Sequence, residues 1–251
     1  MHMKSHLGLT TDQLPETFLI AGDSKRVAKM ASFWDSCDTV GENRGYLCVT
    51  GSYRGLPVGA CCTGIGGPSV EVAIVELMQH GVRNIIRVGT CGGIDPNVEP
   101  GDLVIMNAAI RYNGAADAYA PLNYPAVSDW EYTWAITNAC KARGYRYHTG
   151  IGISVDSFFG TKPWLTGLDH LKTELCNIVP RWAGSGVLAM EMEAATLMVV
   201  GSLIGLRTAT ICTVGSNIPL GIRPTPAPED DQAILAACDG AIAMHSLSSK
   251  E

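Results

Sequence analysis

Short apolar runs ending in glycine-bearing turns alternate along this chain with stretches of helical periodicity. Strands that are apolar on both faces need cover on both faces. The alternation therefore demands a mostly parallel or mixed sheet between helices, an α/β fold. The strand runs are Thr17–Asp23, two arms within Tyr46–Gly64, Asn84–Thr90, Asp102–Ile110, Tyr147–Val155, Val187–Met192 and Arg207–Gly215. Ser24–Trp34 reads as a helix with Ser24 near its N-cap, and Pro68 suits a first helical position. Val70, Ala73, Ile74, Leu77 and Met78 then mark one helical face, with Gly81 as the C-cap. Ser128–Gly144, Ala194–Leu206 and a last segment from about Pro228 to His245 complete the helices.

No linker, repeat or low-complexity tract divides the 251 residues, so residues 1–251 are expected to form a single domain. The Pro-rich stretch Asn217–Asp230 reads as a long loop, because the same pattern continues on either side. A net charge of -6 argues against a nucleic-acid partner, which favours basic surfaces, yet leaves room for a local pocket that binds a small anion. The nine scattered cysteines form no Cys-x-x-Cys pair, which fits reduced thiols in a cytoplasmic protein and no metal. The opening residues lack a signal-peptide core, and the longest apolar run, Ala194–Leu206, is too short to span a bilayer, so no membrane partner is expected.

The residues that misfit this scaffold cluster at strand ends, where such sheets bind ligands. Arg87 interrupts the apolar strand "NIIRVGTCGGI", and its charge must meet either a buried carboxylate or a bound anion. Gly22 and Arg26 follow the first strand in "AGDSKR". Thr90 offers a hydroxyl after Arg87, Glu191 and Glu193 flank Met192 in "AMEMEA", and Ser216 follows Gly215 in "TICTVGSN". Two arginines, a hydroxyl and a helix start make an oxyanion site; a carboxylate on a separate strand end suits sugar hydroxyls. Each also has a plain structural reading: an ion pair for Arg87, a solvated helix turn for Arg26, a helix N-terminus for Glu193, a solvated tail for His6.

The segments "HLGLT" with His6, "GDSKR", "NRGY", "TGIGGPS", "IIRVGTCGGI", "APLNYPAVSD" and "EMEAATL" occur in one order from His6 to about Asn217. Together they resemble the nucleoside phosphorylase family, and within it most closely the uridine phosphorylases. The resemblance implies a three-layer α/β/α fold around a central mixed, barrel-like β-sheet. It implies that Gly22, Arg26, Arg87 and Thr90 hold phosphate, with Arg44 reaching the same site from a neighbouring subunit. Glu193 and Met192 would meet the ribose, His6 of a neighbour would meet the 5′-hydroxyl, and Cys91, Gly92, Phe158 and Ser216 would line the base. Arg87, Thr90 and Glu193 would carry the catalysis. Inorganic phosphate would be the co-substrate, with no cofactor and no metal. Shared sites of this kind imply a dimer at least, with a hexamer built as a trimer of dimers as the larger alternative.

The sequence departs from that pattern on the base side. Uridine phosphorylases read uracil with a Gln and an Arg soon after the residue matching Phe158, whereas this chain has "FFGTKPW" there, offering Thr161, Lys162 and Trp164. Purine enzymes of the family carry an Asp near the turn where this chain has Gly215 and Ser216. Gly45 in "NRGY" replaces a Glu that in some relatives helps bind a cation. The expected reaction is phosphate-dependent cleavage of uridine to uracil and ribose 1-phosphate. A purine or broad-specificity phosphorylase, a nucleosidase using water, and a non-catalytic nucleoside binder are the alternatives.

Overall fold

The computed structural model describes residues 5–162, 165, 167, 170, 174–222 and 230–248. Ten strands share one mixed sheet: β1 (Thr17–Ala21), β2 (Ser36–Asn43), β3 (Tyr46–Tyr53), β4 (Leu56–Cys62), β5 (Asn84–Gly93), β6 (Leu103–Tyr112), β7 (Ala126–Val127), β8 (Tyr147–Val155), β9 (Val187–Glu191) and β10 (Arg207–Asn217). Seven helices accompany them among the described residues: α1 (Ser24–Ser32), α2 (Gly67–Gln79), α3 (Trp130–Ala142), α4 (Phe158–Thr161), α5 (Ile178–Trp182), α6 (Ala194–Leu203) and α7 (Asp231–Ser248). The order along the sheet is β10-β6-β8-β9-β5-β1-β4-β3-β2, and β10 also pairs with β5. That extra pairing closes β5, β10, β6, β8 and β9 into a five-stranded barrel, with the remaining strands running off it through β1.

The strand that carries Arg87 is the hub. Ile20 of β1 and Thr210 of β10 flank Arg87 in parallel register, and farther along Gly92 and Gly93 pair antiparallel with Met190 and Ala189 of β9. Side-chain alternation sends Ile86 and Val88 into one core with α1, α3 and α7. Ile85 goes to the opposite core with α2 and α6. Helices thus cover both faces, as the near-continuous apolar strands require. Helix α6 is buried along most of its length, consistent with its place between sheet and α2. No helix among the described residues is long and apolar enough to cross a membrane.

Several boundaries differ from the sequence reading by a residue or an element. Asp23, not Ser24, caps α1, accepting from the Lys25 N–H, and Asp129 caps α3 through the Tyr132 N–H. A carboxylate at this position bonds the free amides and opposes the helix dipole, a competitor to which a neighbouring serine yields. Gly81, at φ 98°, follows the end of α2 as anticipated, and the Val82 N–H reaches back to the Leu77 carbonyl. Strand β2 escaped the reading because "SCDTVGEN" is mostly exposed and shows no apolar alternation; it is held by its hairpin with β3. The expected start of the last helix at Pro228 lies outside the described residues.

The N-terminal segment is pinned to α2 by one carboxylate. Glu76 accepts from Ser5 Oγ at 2.9 Å, from the His6 and Leu7 N–H groups at 2.8 and 3.1 Å, and lies 2.5 Å from His6 Nδ1. Burial opposes its ionisation, but the His6 and Leu7 amides and the His6 and Ser5 side chains outweigh it and hold the carboxyl below its usual range. A depressed carboxylate contributes stability that is present above the unfolded-state pKa and lost as pH falls through the lower folded-state value. Acidification below the usual carboxylate range is therefore expected to release Ser5–Leu7. Glu76→Gln should release them already at neutral pH, lowering stability by about 1–3 kcal/mol. Hydrogen exchange at the Leu7 amide checks both; a protection factor indifferent to the substitution would refute the anchor.

Candidate active site

One cavity of about 330 Å³ opens beyond the ends of β1, β5, β8, β9 and β10. Its lining brings together Gly22, Arg26, Arg87, Thr90, Cys91, Gly92, Phe158, Met192, Glu193 and Ser216, ten of the twelve residues expected at the site. Arg44 and His6 are not part of that lining. Arg44 sits exposed at φ 52° in the two-residue turn between β2 and β3, and His6 sits against Glu76. The two are close to each other, however: the Asn43 amide, beside Arg44, donates to the His6 carbonyl at 3.1 Å.

Arg87 meets carboxylates within its own chain. Its Nε donates to Glu191 Oε2 at 2.9 Å and its Nη2 lies 2.5 Å from Glu193 Oε2, with all three side chains buried. Burial works against the guanidinium charge, but Glu193 and Glu191 hold it more firmly protonated. The guanidinium folds back over Gly89, where a Cβ would stand 2.7 Å from Nη2 and 3.0 Å from Cys212 Sγ. The bare Gly89 within β5 thus gives the arginine its room. Arg87 still borders the cavity, so the ion pair does not withdraw it from that lining.

Glu191 organises the loop from which Glu193 projects. Besides Arg87, it accepts from Ser154 Oγ at 2.5 Å, from the Glu193 N–H at 2.8 Å and from the Ala194 N–H at 2.9 Å. Those amides are the free donors at the start of α6, so Glu191 acts as a carboxylate cap for that helix from the end of β9. The sequence drew attention to Glu191 and gave it no role; the signal was an ionisable residue inside an apolar run. Glu193 receives the Gly66 N–H at 2.6 Å, a contact that ties the turn before α2 to the same cluster. Burial pushes the Glu193 carboxyl up, Arg87 pulls it down, and Glu191 adds to the rise.

A second arginine lies on the other side of Thr90. Arg26 is largely buried, not solvated, because its Nε donates to Asp230 Oδ2 at 2.7 Å and its Nη2 donates to Thr90 Oγ1 at 2.7 Å. Asp230 ends the Pro-rich segment, far from Arg26 in sequence, and nothing in its local pattern announced it. A Cβ on Gly22 would stand 3.0 Å from the Gly64 carbonyl, so the first turn is bare where the chain passes closest. Arg26, bonded to Thr90, lines the same cavity as Arg87, and together they offer donors suited to a tetrahedral oxyanion.

The remaining expected residues line the same cavity. Phe158, on the rim at the start of α4, faces Lys162, whose Nζ lies 4.2 Å from the ring centroid. Ser216 is turned inward by an irregularity in the pairing of β10 with β5 between Val214 and Ser216. Cys91 is buried, and its hydrogen bond with Cys212 together with burial pushes its thiol up, leaving it neutral. Thr161 and Lys162 line the cavity; Trp164 lies outside the described residues.

Replacing Glu191 by Gln is expected to leave Arg87 short of one charge and to set an amide N–H against the donors of Glu193 and Ala194. Breaking a buried pair in this way costs about 3–5 kcal/mol. Urea unfolding measures it, and a loss below about 1 kcal/mol would mean that the pair is not what holds the loop.

The sequence that builds this cavity has counterparts among known proteins. The family model described as the phosphorylase superfamily matches residues 16–246. The chain is 39% identical over 217 residues to a uridine phosphorylase of Thermococcus kodakarensis, covering 86% of this chain and 78% of that one. It is 36% identical over 215 residues to a uridine phosphorylase of Escherichia coli, covering 84% and 85%. It is also 33% identical over 232 residues to a guanosine phosphorylase of Halorubrum lacusprofundi, covering 92% and 90%. With a match across nearly all of its sheet and helices, this chain belongs to the phosphorylase superfamily.

Proposed function

We propose that the protein cleaves the N-glycosidic bond of a nucleoside with inorganic phosphate, with uridine as first substrate, releasing uracil and ribose 1-phosphate. The observation that carries this reading is that Arg26, Arg87 and Thr90 all line one cavity, with Arg26 bonded to Thr90. Phosphate would take donors from both arginines and from Thr90, close to the backbone at Gly22. Asp230 and the pair of glutamates keep each guanidinium in place and leave other N–H groups for the ligand. Glu193, with its second oxygen on the Gly66 amide, would accept from the ribose hydroxyls, and Met192 would pack beside the sugar.

The chemistry follows from these placements. Phosphate held at the arginine corner attacks the anomeric carbon as the bond to the base breaks, and its negative charge opposes the growing charge on the sugar. Positioning supplies much of the acceleration, and the fixed carboxylate adds to the favourable field around the oxocarbenium-like sugar. The base would lie between Phe158, Cys91, Gly92 and Ser216. His6 and Arg44 of a second copy would complete the site: both sit on one face, linked through Asn43, where a twofold neighbour could present them together. A guanosine substrate is the second reading, favoured by the similarity to the Halorubrum protein over nearly the whole chain.

A panel of uridine, thymidine, cytidine, guanosine and inosine, each with and without phosphate, tests the reading; base release indifferent to phosphate would overturn it. Thr90→Val is the cleanest probe of the phosphate corner. It removes one hydroxyl that receives Arg26, whereas Arg87→Ala would strand two buried carboxylates and confuse catalysis with folding. Losing one oxyanion donor should lower kcat/KM about 10²-fold, chiefly through KM for phosphate, with thermal stability nearly unchanged. An unaltered dependence on phosphate would remove Thr90 from the site.

A further inference from the structure

Three cations line the cavity among the described residues, and they differ in how they are neutralised. Arg87 has Glu191 and Glu193, and Arg26 has Asp230. Lys162 is 6% exposed, and among the described residues no carboxylate lies within ion-pair distance of it. Its contacts are the face of Phe158 and the neutral thiol of Cys91. Its ammonium stands 3.9 Å from the point where a Cβ on Gly92 would be, and Ser216 Oγ stands 3.3 Å from that same point. This part of the lining thus offers an aromatic ring, a bare glycine, a hydroxyl and an ammonium with no carboxylate partner among the described residues. Such a set suits a planar ring bearing an acceptor on its edge.

We propose that Lys162 reads a carbonyl oxygen on the edge of the base, so that the site takes oxo-bases such as uracil and guanine and rejects cytosine and adenine at the amino-bearing position. An ammonium has three donors and no acceptor, so it bonds a carbonyl oxygen and has nothing to offer an amino group. A buried charge without a partner is costly, and an arriving oxygen relieves that cost where an amino group worsens it. Burial also draws the ammonium's pKa down, in keeping with a group that lacks a counter-charge when the site is empty.

The proposal rests on the nucleoside phosphorylase reading and gives Lys162 a part in the step itself. As the phosphate oxygen bonds to the anomeric carbon, the glycosidic electron pair leaves with the base nitrogen. The charge spreads onto the ring carbonyls, and the proton that phosphate carried ends on the base. Lys162 is neither consumed nor changed; its bond to the carbonyl strengthens as that oxygen becomes negative, which makes it a transition-state contact.

The test compares the wild-type protein with Lys162→Met and Lys162→Arg. Wild type should prefer uridine to cytidine and guanosine to adenosine by about 10²-fold or more, since a site built to bond one group rejects the analogue lacking it. Lys162→Met should lower kcat for uridine by about 10²-fold and collapse those preferences, while KM for phosphate stays unchanged. The loss should be smaller for 5-fluorouridine, whose base leaves as a more stable anion, and Lys162→Arg should keep part of the preference. Equal losses for uridine and 5-fluorouridine with unaltered preferences would overturn the proposal and leave Lys162 a packing residue. Calorimetric titration with uridine and cytidine provides a reading independent of turnover. If wild type cleaves no nucleoside, the phosphorylase reading falls, and uridine affinity unchanged by Lys162→Met overturns the Lys162 proposal separately.

Discussion

The buried contact of Arg87 with Glu191 and Glu193 is the constraint on which the rest of the cavity depends. A guanidinium does not shed its proton to escape a dry environment, so the fold must supply compensating charge. It does so from the end of β9 and the start of α6, which the pairing of β9 with β5 brings beside Arg87. Glu191 spends its lone pairs on the helix amides as well as on Arg87, so the ion pair also fixes where α6 begins. Once α6 is placed, Glu193 is aimed at the cavity and at the Gly66 amide. One interaction thus sets the helix start, the orientation of a carboxylate and the position of a guanidinium.

Much of this was legible in the sequence for a physical reason. An arginine in an apolar strand, a glycine two residues on and two glutamates inside another apolar run are each improbable as plain core, and the misfit itself points to the site. The covered sheet was legible too, because strands such as β5 and β10 are buried on both faces and read as continuous apolar runs. What escaped depends on distance in sequence or on weak pattern. Asp230 meets Arg26 across most of the chain, and no local feature of a Pro-rich stretch announces that. Strand β2 is polar and exposed, so its identity comes from its partner and not from its own residues. The short turns α4 and α5 carry too few residues for a helical period to show.

The ion pairs of Arg87 do not exclude a place beside a bound anion. Two of the guanidinium's edges serve the carboxylates, and the group still borders the cavity beside Thr90 and Arg26. Such double use is economical in donors, since a guanidinium has five N–H groups in a rigid fork. It also explains why the arginine is a poor target for dissecting catalysis: its removal touches folding and ligand binding together.

The two ends of the cavity treat positive charge in opposite ways, and the proposed reaction would draw on that difference. Where phosphate is proposed to bind, each arginine is already balanced by a carboxylate, so a dianion would meet aligned donors without an excess of charge that would hold it too tightly to react. At the base end Lys162 has no carboxylate partner among the described residues, and its field is open to whatever charge appears there. During glycosidic cleavage negative charge moves away from phosphate and toward the leaving base. A balanced corner where charge departs and an unbalanced cation where charge arrives favour that movement, because an interaction that grows along the reaction lowers its barrier while one that is constant does not.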